Sequence, residues 1–112
     1  MSTDPKHSAG LKGFQRTWLR GRAHPLKQVV QVGQGGVTDQ VIEAVNAALL
    51  AHELIKVRLM RPDDKRGTAN AVALRAGAEL CGLVGHTAIL YRAHPEKPKI
   101  VLPQKKEDAT PD

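Results

Sequence analysis

The most regular pattern in the chain is the stretch 54–60, Leu-Ile-Lys-Val-Arg-Leu-Met. Ile55, Val57 and Leu59 alternate with Lys56, Arg58 and Met60, so neighbouring side chains fall on opposite faces of an extended strand. That alternation predicts a sheet with one buried face and one wet, partly basic face. Upstream the period changes. Leu11, Phe14, Trp18 and Leu19 recur at helical spacing over 11–23, with Lys12, Arg16 and Arg20 as a basic stripe on another side. His24-Pro25 ends this helix, because the residue before proline is pushed out of the helical region.

Val29 to Val32 reads as a short strand, and a glycine-rich loop follows it. Thr38 suits an N-cap and Asp39 the first turn of a second helix, whose stripe is Val41, Ile42, Val45, Ala48 and Leu49. Pro62-Asp63-Asp64 opens a third helix running to about residue 76, with Ala69, Val72, Ala73 and Ala76 on its apolar side and Gly77 beyond its end. Leu80–Val84 and Thr87–Arg92 read as two strands joined by Gly85-His86, a two-residue turn of type II′. The predicted order is α-β-α-β-α-β-β: a single α/β domain in which three helices pack on a small, four-stranded mixed sheet. Residues 1–9 read as a flexible arm, 10–103 as the folded domain and 104–112 as a flexible tail. Ile100-Val101-Leu102 is the one apolar run near the C-terminus with the character to dock on the body.

Charge sharpens this picture. The net charge is +6, and it is unevenly placed. Residues 5–38 carry Lys6, Lys12, Arg16, Arg20, Arg22 and Lys27 and no acid. A positive field of this kind favours polyanions, nucleic acid first among them, although a basic domain with a merely solvated face has the same composition. Aromatics are scarce: Phe14, Trp18 and Tyr91. Modules that stack bases on exposed aromatic rings are therefore a poor match, and recognition through phosphate, sugar and shape fits better.

Other chemistries find little support. Cys81 stands alone in apolar surroundings, so it reads as a core residue in a reducing compartment. The five histidines form no HxxxH pair, and there is no CxxC, which argues against zinc. No nucleophile–base pair or paired carboxylate stands out. No apolar run reaches the ~20 residues of a membrane helix, and the first residues lack a secretory apolar core. The expectation is a cytoplasmic, non-enzymatic protein without cofactor, metal, membrane contact or small-molecule substrate.

The glycine loop is the main candidate site. Gly33-Gln34-Gly35-Gly36-Val37-Thr38 lies between strand and helix as a dinucleotide fingerprint does, but its third glycine is replaced by Thr38 and no acid ends the next strand. A Walker loop has no match. Read as GxxG, the segment offers bare backbone N–H groups at a helix N-terminus, the form used to clamp nucleic-acid backbone in KH modules. The same spacing is met by glycines that only make a tight turn.

"LRGRAHPLKQVVQVGQGGVT", "HELIKVR" and "GHTAILYR", in that order, resemble the CRM domain (chloroplast RNA splicing and ribosome maturation) in its short stand-alone bacterial, YhbY-like form. The likeness covers about 14–103. Arg22 stands where that family commonly has an apolar residue and Gln28 where proline is common. The segment between Arg61 and Gly77 is short, which predicts a clipped third helix. The resemblance implies a fold similar to the C-terminal domain of translation initiation factor 3. It also implies RNA binding through the GxxG loop and a basic surface, with large-subunit ribosomal RNA or its precursor particle as partner. On this reading Gly33, Gln34, Gly35 and Gly36 contact RNA together with Arg20, Arg22 and Lys27, and with Lys56, Arg58 and Arg92 from the sheet. Thr38 and His24 support the loop. Two other readings stay open: a module binding a ribosomal protein or assembly factor with RNA contact incidental, and an RNA-processing enzyme.

Overall fold

A computed structural model of the chain describes residues 11–60 and 64–105. Seven elements follow in the order α1 (Gly13–Ala23), β1 (Gln28–Val32), α2 (Asp39–His52), β2 (Leu54–Leu59), α3 (Lys65–Ala76), β3 (Glu79–Val84) and β4 (Thr87–Tyr91). The strands make one mixed sheet in the order β1-β2-β4-β3. β1 and β2 are parallel and therefore need a crossover, which α2 supplies. β4 runs antiparallel to both β2 and β3. β3 and β4 are joined by a tight turn in which Gly85 has φ 59. A positive φ at the first turn position alone is the II′ signature expected from Gly85-His86.

The period-two pattern of β2 sorts the molecule into layers. Val30, Val32, Ile55, Val57, Leu59, Ala88 and Leu90 face α2 and α3 and close the larger core with them. The opposite face holds a smaller cluster of Leu19 and Ala23 from α1 with Leu54, Cys81, Ile89 and Tyr91 from the sheet. Burial, with Glu79 nearby, pushes the Cys81 thiol up to about 12 despite Arg16 and Arg20, so it is a core group rather than a reactive one. Local signals end the helices as their sequence requires. Thr38 accepts a hydrogen bond from Val41 N–H at 3.2 Å, Asp64 accepts from Gly67 N–H at 2.9 Å, and Gly77 closes α3 in the left-handed region at φ 64.

Two expectations change. The third helix is not clipped: α3 has 12 residues, a full three turns, because Asp64 caps it directly. Pro62 and Asp63, expected in its opening, lie outside the described residues, as do residues 1–10 and 106–112. In α1 the buried positions are Gln15, Leu19 and Ala23, while Phe14 and Trp18 are only half-buried. Gln15 is satisfied in the interior by accepting from Lys12 N–H and donating to the Pro103 carbonyl, both at 2.9 Å.

That second bond belongs to a wrap. After β4 the chain crosses the α1 face, and Ile100 and Leu102 join the smaller cluster while Val101 stays exposed. The clasp is Glu53, a buried carboxylate at the α2–β2 junction with φ 65, a backbone region unusual for a residue with a side chain. It accepts from His94 N–H at 2.7 Å, Lys99 N–H at 2.9 Å and Ile100 N–H at 2.8 Å. Burial alone would raise its pKa; the three main-chain donors and the charge of His94 outweigh that and hold it below the ordinary 4.5.

Glu53→Gln turns one acceptor into a donor facing main-chain N–H groups, and its expected cost is about 1.5–3 kcal/mol in urea unfolding at neutral pH. Because the folded pKa lies below the unfolded one, the carboxylate's contribution is complete above the unfolded value and is lost as pH falls through the folded value. The stability gap between parent and variant should therefore be constant above about pH 5 and shrink on acidification. A gap that widens in acid would contradict the clasp.

Candidate nucleic-acid interface

The glycine loop leaves β1 at one corner of the sheet and feeds α2. Its geometry is a closed turn: Gly36 N–H donates to the Gly33 carbonyl at 3.0 Å, and Thr38 N–H donates to the Gly36 carbonyl at 3.0 Å. Gly36 sits at φ 79, a conformation that side chains disfavour by about 1–2 kcal/mol. The other two glycines differ. Neither has a positive φ, a Cβ on Gly33 would meet nothing within 4 Å, and one on Gly35 would reach only an ordinary contact with the Thr38 methyl at 3.7 Å. The fold thus needs one of the three glycines. Among the described residues, the N–H groups of Gln34 and Gly35 donate to no protein acceptor, and both residues are exposed. The N–H groups of Gly33 and Val37 likewise have no protein acceptor among the described residues, whereas that of Gly36 is already engaged.

Behind the loop, Thr38 caps α2 as expected, and a residue the sequence did not single out fixes the exit. Arg75, in the last turn of α3, donates to the Val37 carbonyl at 2.9 Å and pairs with Asp39 at 2.6 Å. This tie holds the loop to α3 and offsets the acid that follows it. Asp39 is almost fully exposed and Arg75 nearly half exposed, so the pair adds little stability; its effect is local geometry and field.

From the loop a polar row runs across the open half of the α1 face. Gln31, Arg58 and Thr87 are partners in register on β1, β2 and β4. A second row, Gln28 and Lys56, lies behind it, with Gln28 donating to the Thr87 hydroxyl at 3.1 Å. Arg58 is exposed, and no hydrogen bond or ion pair engages it among the described residues. Lys27 is likewise exposed and free.

The remaining predicted cations have other partners. Lys56 donates to the carbonyls of His24 and Leu26 at 2.9 and 3.1 Å, so it staples the turn between α1 and β1. His24 takes part through that carbonyl, and its ring is exposed. Arg22 stacks on Trp18, its guanidinium carbon 5.1 Å from the ring centroid. Arg20 donates to the Cys81 carbonyl at 2.8 Å and lies along β3, the edge opposite the loop. There it blunts an edge strand. Arg92 donates to the Ala76 carbonyl at 2.6 Å and to Asn46 Oδ1 at 2.8 Å, locking α2 and α3 to the far end of β4. The structure therefore gathers Gly33 to Gly36, Arg58, Lys56 and Lys27 on one side and turns Arg20 and Arg92 away. Lys65, not singled out from sequence, reaches the Gly85 carbonyl at 3.1 Å.

Among the described residues, no cluster of three or more His, Cys, Asp or Glu is grouped to hold a metal ion, and no helix is long and apolar enough to cross a membrane.

The CRS1/YhbY (CRM) domain profile matches residues 11–92. The "Probable RNA-binding protein YqeI" of Bacillus subtilis is 39% identical over 95 residues, covering 83% of this chain and 99% of that protein. An "RNA-binding protein" of Haemophilus influenzae is 39% identical over 97 residues, covering 85% and 97%. Among solved structures, the solution structure of SAV1595 from Staphylococcus aureus superimposes with a TM-score of 0.74 at 33% identity, over 83% of this chain and 99% of that one.

The loop geometry separates the glycines by substitution. Gly36→Ala is expected to lower stability by about 1 kcal/mol in thermal or urea unfolding, whereas Gly33→Ala should leave it unchanged or raise it by about 0.5 kcal/mol. Equal losses at both positions would mean that the turn itself requires both.

Proposed function

The chain belongs to the CRS1/YhbY (CRM) domain family, and on that footing we propose that it binds structured RNA, using the Gly33–Gly36 loop and the polar strip beside it. The observation that carries this reading is the bareness of Gly33 and Gly35. The fold has room for a side chain at both positions, so the missing Cβ atoms serve something outside the fold. A sugar-phosphate backbone is the partner that bare amides and nearby cations fit: the N–H groups of Gln34 and Gly35 donate to phosphate oxygens, and the N-terminus of α2 adds its partial positive charge. Arg58 and Lys27, unengaged by the protein, neutralise further phosphates along the strip. Lys56 keeps the turn that presents Lys27 and contributes field. Arg20 and Arg92 support the scaffold.

The binding is non-enzymatic in this proposal, since the surface offers hydrogen-bond donors and charge but no acid–base pair. The partner is large-subunit ribosomal RNA or its precursor particle, the class of target implied by the family resemblance, and the role is assistance in subunit assembly in the cytoplasm.

The test is binding of the purified protein to protein-free ribosomal RNA fragments, followed by fluorescence anisotropy across a salt series. The logarithm of the association constant should fall linearly with the logarithm of salt concentration, with a slope of about −0.7 per single-strand phosphate contacted. Gly33→Val should weaken binding at least several-fold with no loss of thermal stability. Arg58→Gln should reduce the slope by about 0.7. Gly36→Asp keeps a residue tolerant of positive φ and sets an anion in the seat, so it should abolish tight binding, as should Lys27→Glu. Parental affinity in all four variants would transfer the surface to a protein partner.

A further inference from the structure

The strip does not end at the Gln28–Lys56 row. It opens, beyond Lys27, into a cleft of about 710 Å³ between the C-terminal turn of α1 and the edge strand β1. Val29, Leu54 and Ile100 form its walls, and Leu26 stands at its lip. Leu26 and Val29 are 40% and 48% exposed, so two apolar side chains open side by side onto the cleft. The charged lining is of one sign, Arg22 and Lys27, with no carboxylate, and His52 adds a polar ring. An apolar slot rimmed only by cations fits a ligand with a flat, weakly polar body and an anionic edge.

Arg22 narrows the choice. Its guanidinium carbon lies over the Trp18 ring, 5.1 Å from the centroid, while the residue lines the cleft, and no hydrogen bond or ion pair engages it among the described residues. Unpaired RNA bases are stacked by proteins on aromatic rings or on guanidinium planes. This protein exposes few rings, so an arginine seated over one of them is the platform it offers. The separation also fits: Val29 and Gly33 are four residues apart along β1, about 13 Å of extended strand. One RNA strand seated on the glycine loop can follow β1 and reach the cleft within a few nucleotides.

We propose that the cleft between α1 and β1 takes a single unstacked RNA nucleotide, its base inserted against the Trp18-backed guanidinium of Arg22 and its phosphate held by Lys27. The proposal rests on the RNA-binding reading above and adds to it a base-dependent element that the glycine loop, a backbone reader, does not provide. Arg22 here acts as a stacking plane as well as a charge.

The experiment uses the full chain and a set of short single-stranded RNAs of mixed sequence, each with one abasic site at a different position. Parent protein should lose about five- to tenfold in affinity at one position of the abasic site, the low end of what stacking one base contributes. Arg22→Lys keeps the charge and removes the plane. It should bind the intact strand five- to tenfold more weakly than the parent and bind the position-specific abasic strand equally well, with the salt slope unchanged. Leu26→Asn, at a position 40% exposed, should give the same pattern without touching a cation, with thermal unfolding confirming that the variant is folded. The proposal is overturned if no position of the abasic site matters, if Arg22→Lys weakens intact and abasic strands alike, or if both variants bind intact RNA as the parent does, the last outcome assigning the cleft to a protein segment. Failure of the RNA reading itself is distinct: there the parent protein shows no salt-sensitive binding, or Gly36→Asp leaves it intact.

Discussion

A four-stranded sheet has two faces to cover, and this chain has three helices with which to do it. Two of them, α2 and α3, close one face completely, which is why Ile55, Val57 and Leu59 sit in the larger core. The single helix left for the other face covers only part of it, above Leu54, Ile89 and Cys81. The shortfall has to be met by polar residues that tolerate water, and the sequence puts Gln31, Arg58 and Thr87 there in register. The open strip is thus a consequence of how the layers are shared. The glycine loop, leaving β1 at the same corner, extends that strip with bare backbone.

A short domain with a half-covered face needs another way to hold α1. The C-terminal wrap supplies it. Ile100 and Leu102 add apolar area to a cluster that α1 alone would leave thin, and the Pro103 carbonyl takes the Gln15 amide. The wrap has no regular structure, so its N–H groups need acceptors from elsewhere, and three of them find Glu53. A carboxylate with several lone pairs is suited to gathering donors from a chain that turns around it. The positive φ at Glu53 is a local cost offset by this convergence. The same wrap shapes the wall of the α1–β1 cleft, since Ile100 both packs on the cluster and lines the opening. Fold and surface are coupled there through one buried acid.

The order of elements was legible because its signals are local. The alternation in 54–60 needs only neighbouring residues to be read, and so do the Thr38 cap, the Gly77 stop and the Gly85 turn. The roles of individual charges were not legible, because they depend on partners far along the chain. Gln15 meets Pro103 across 88 residues, Arg20 meets Cys81 across 61, and Arg92 meets Asn46 across 46. Residue type fixes the charge of Arg20 and Arg92 but not their direction, and the fold directs both toward carbonyls of their own chain. Glu53 was equally hidden, because its three donors lie 41 to 47 residues further along the chain. In the loop, spacing alone could not separate a turn from a contact surface. The distinction lies in φ, positive at Gly36 and ordinary at Gly33 and Gly35, and φ is a property of the folded backbone.

The fate of the cations bears on how a basic protein becomes a selective one. A net charge of +6 describes attraction at a distance, but it does not say which charges can touch a phosphate. Here several are already satisfied by main-chain carbonyls: Lys56 in the turn after α1, Lys65 at the hairpin, Arg20 on the edge strand and Arg92 between the helices. Each of these bonds fixes a piece of backbone, and moving any of them onto a ligand would leave a carbonyl without its donor. Lys27 and Arg58, exposed and unengaged among the described residues, lie on the open strip beside the bare loop. The rest of the charge raises the local concentration of a polyanion and shapes the scaffold. On the proposed reading, contact is favoured where exposed backbone and unengaged cations coincide, so placement as well as the charge total bears on where a nucleic acid would sit.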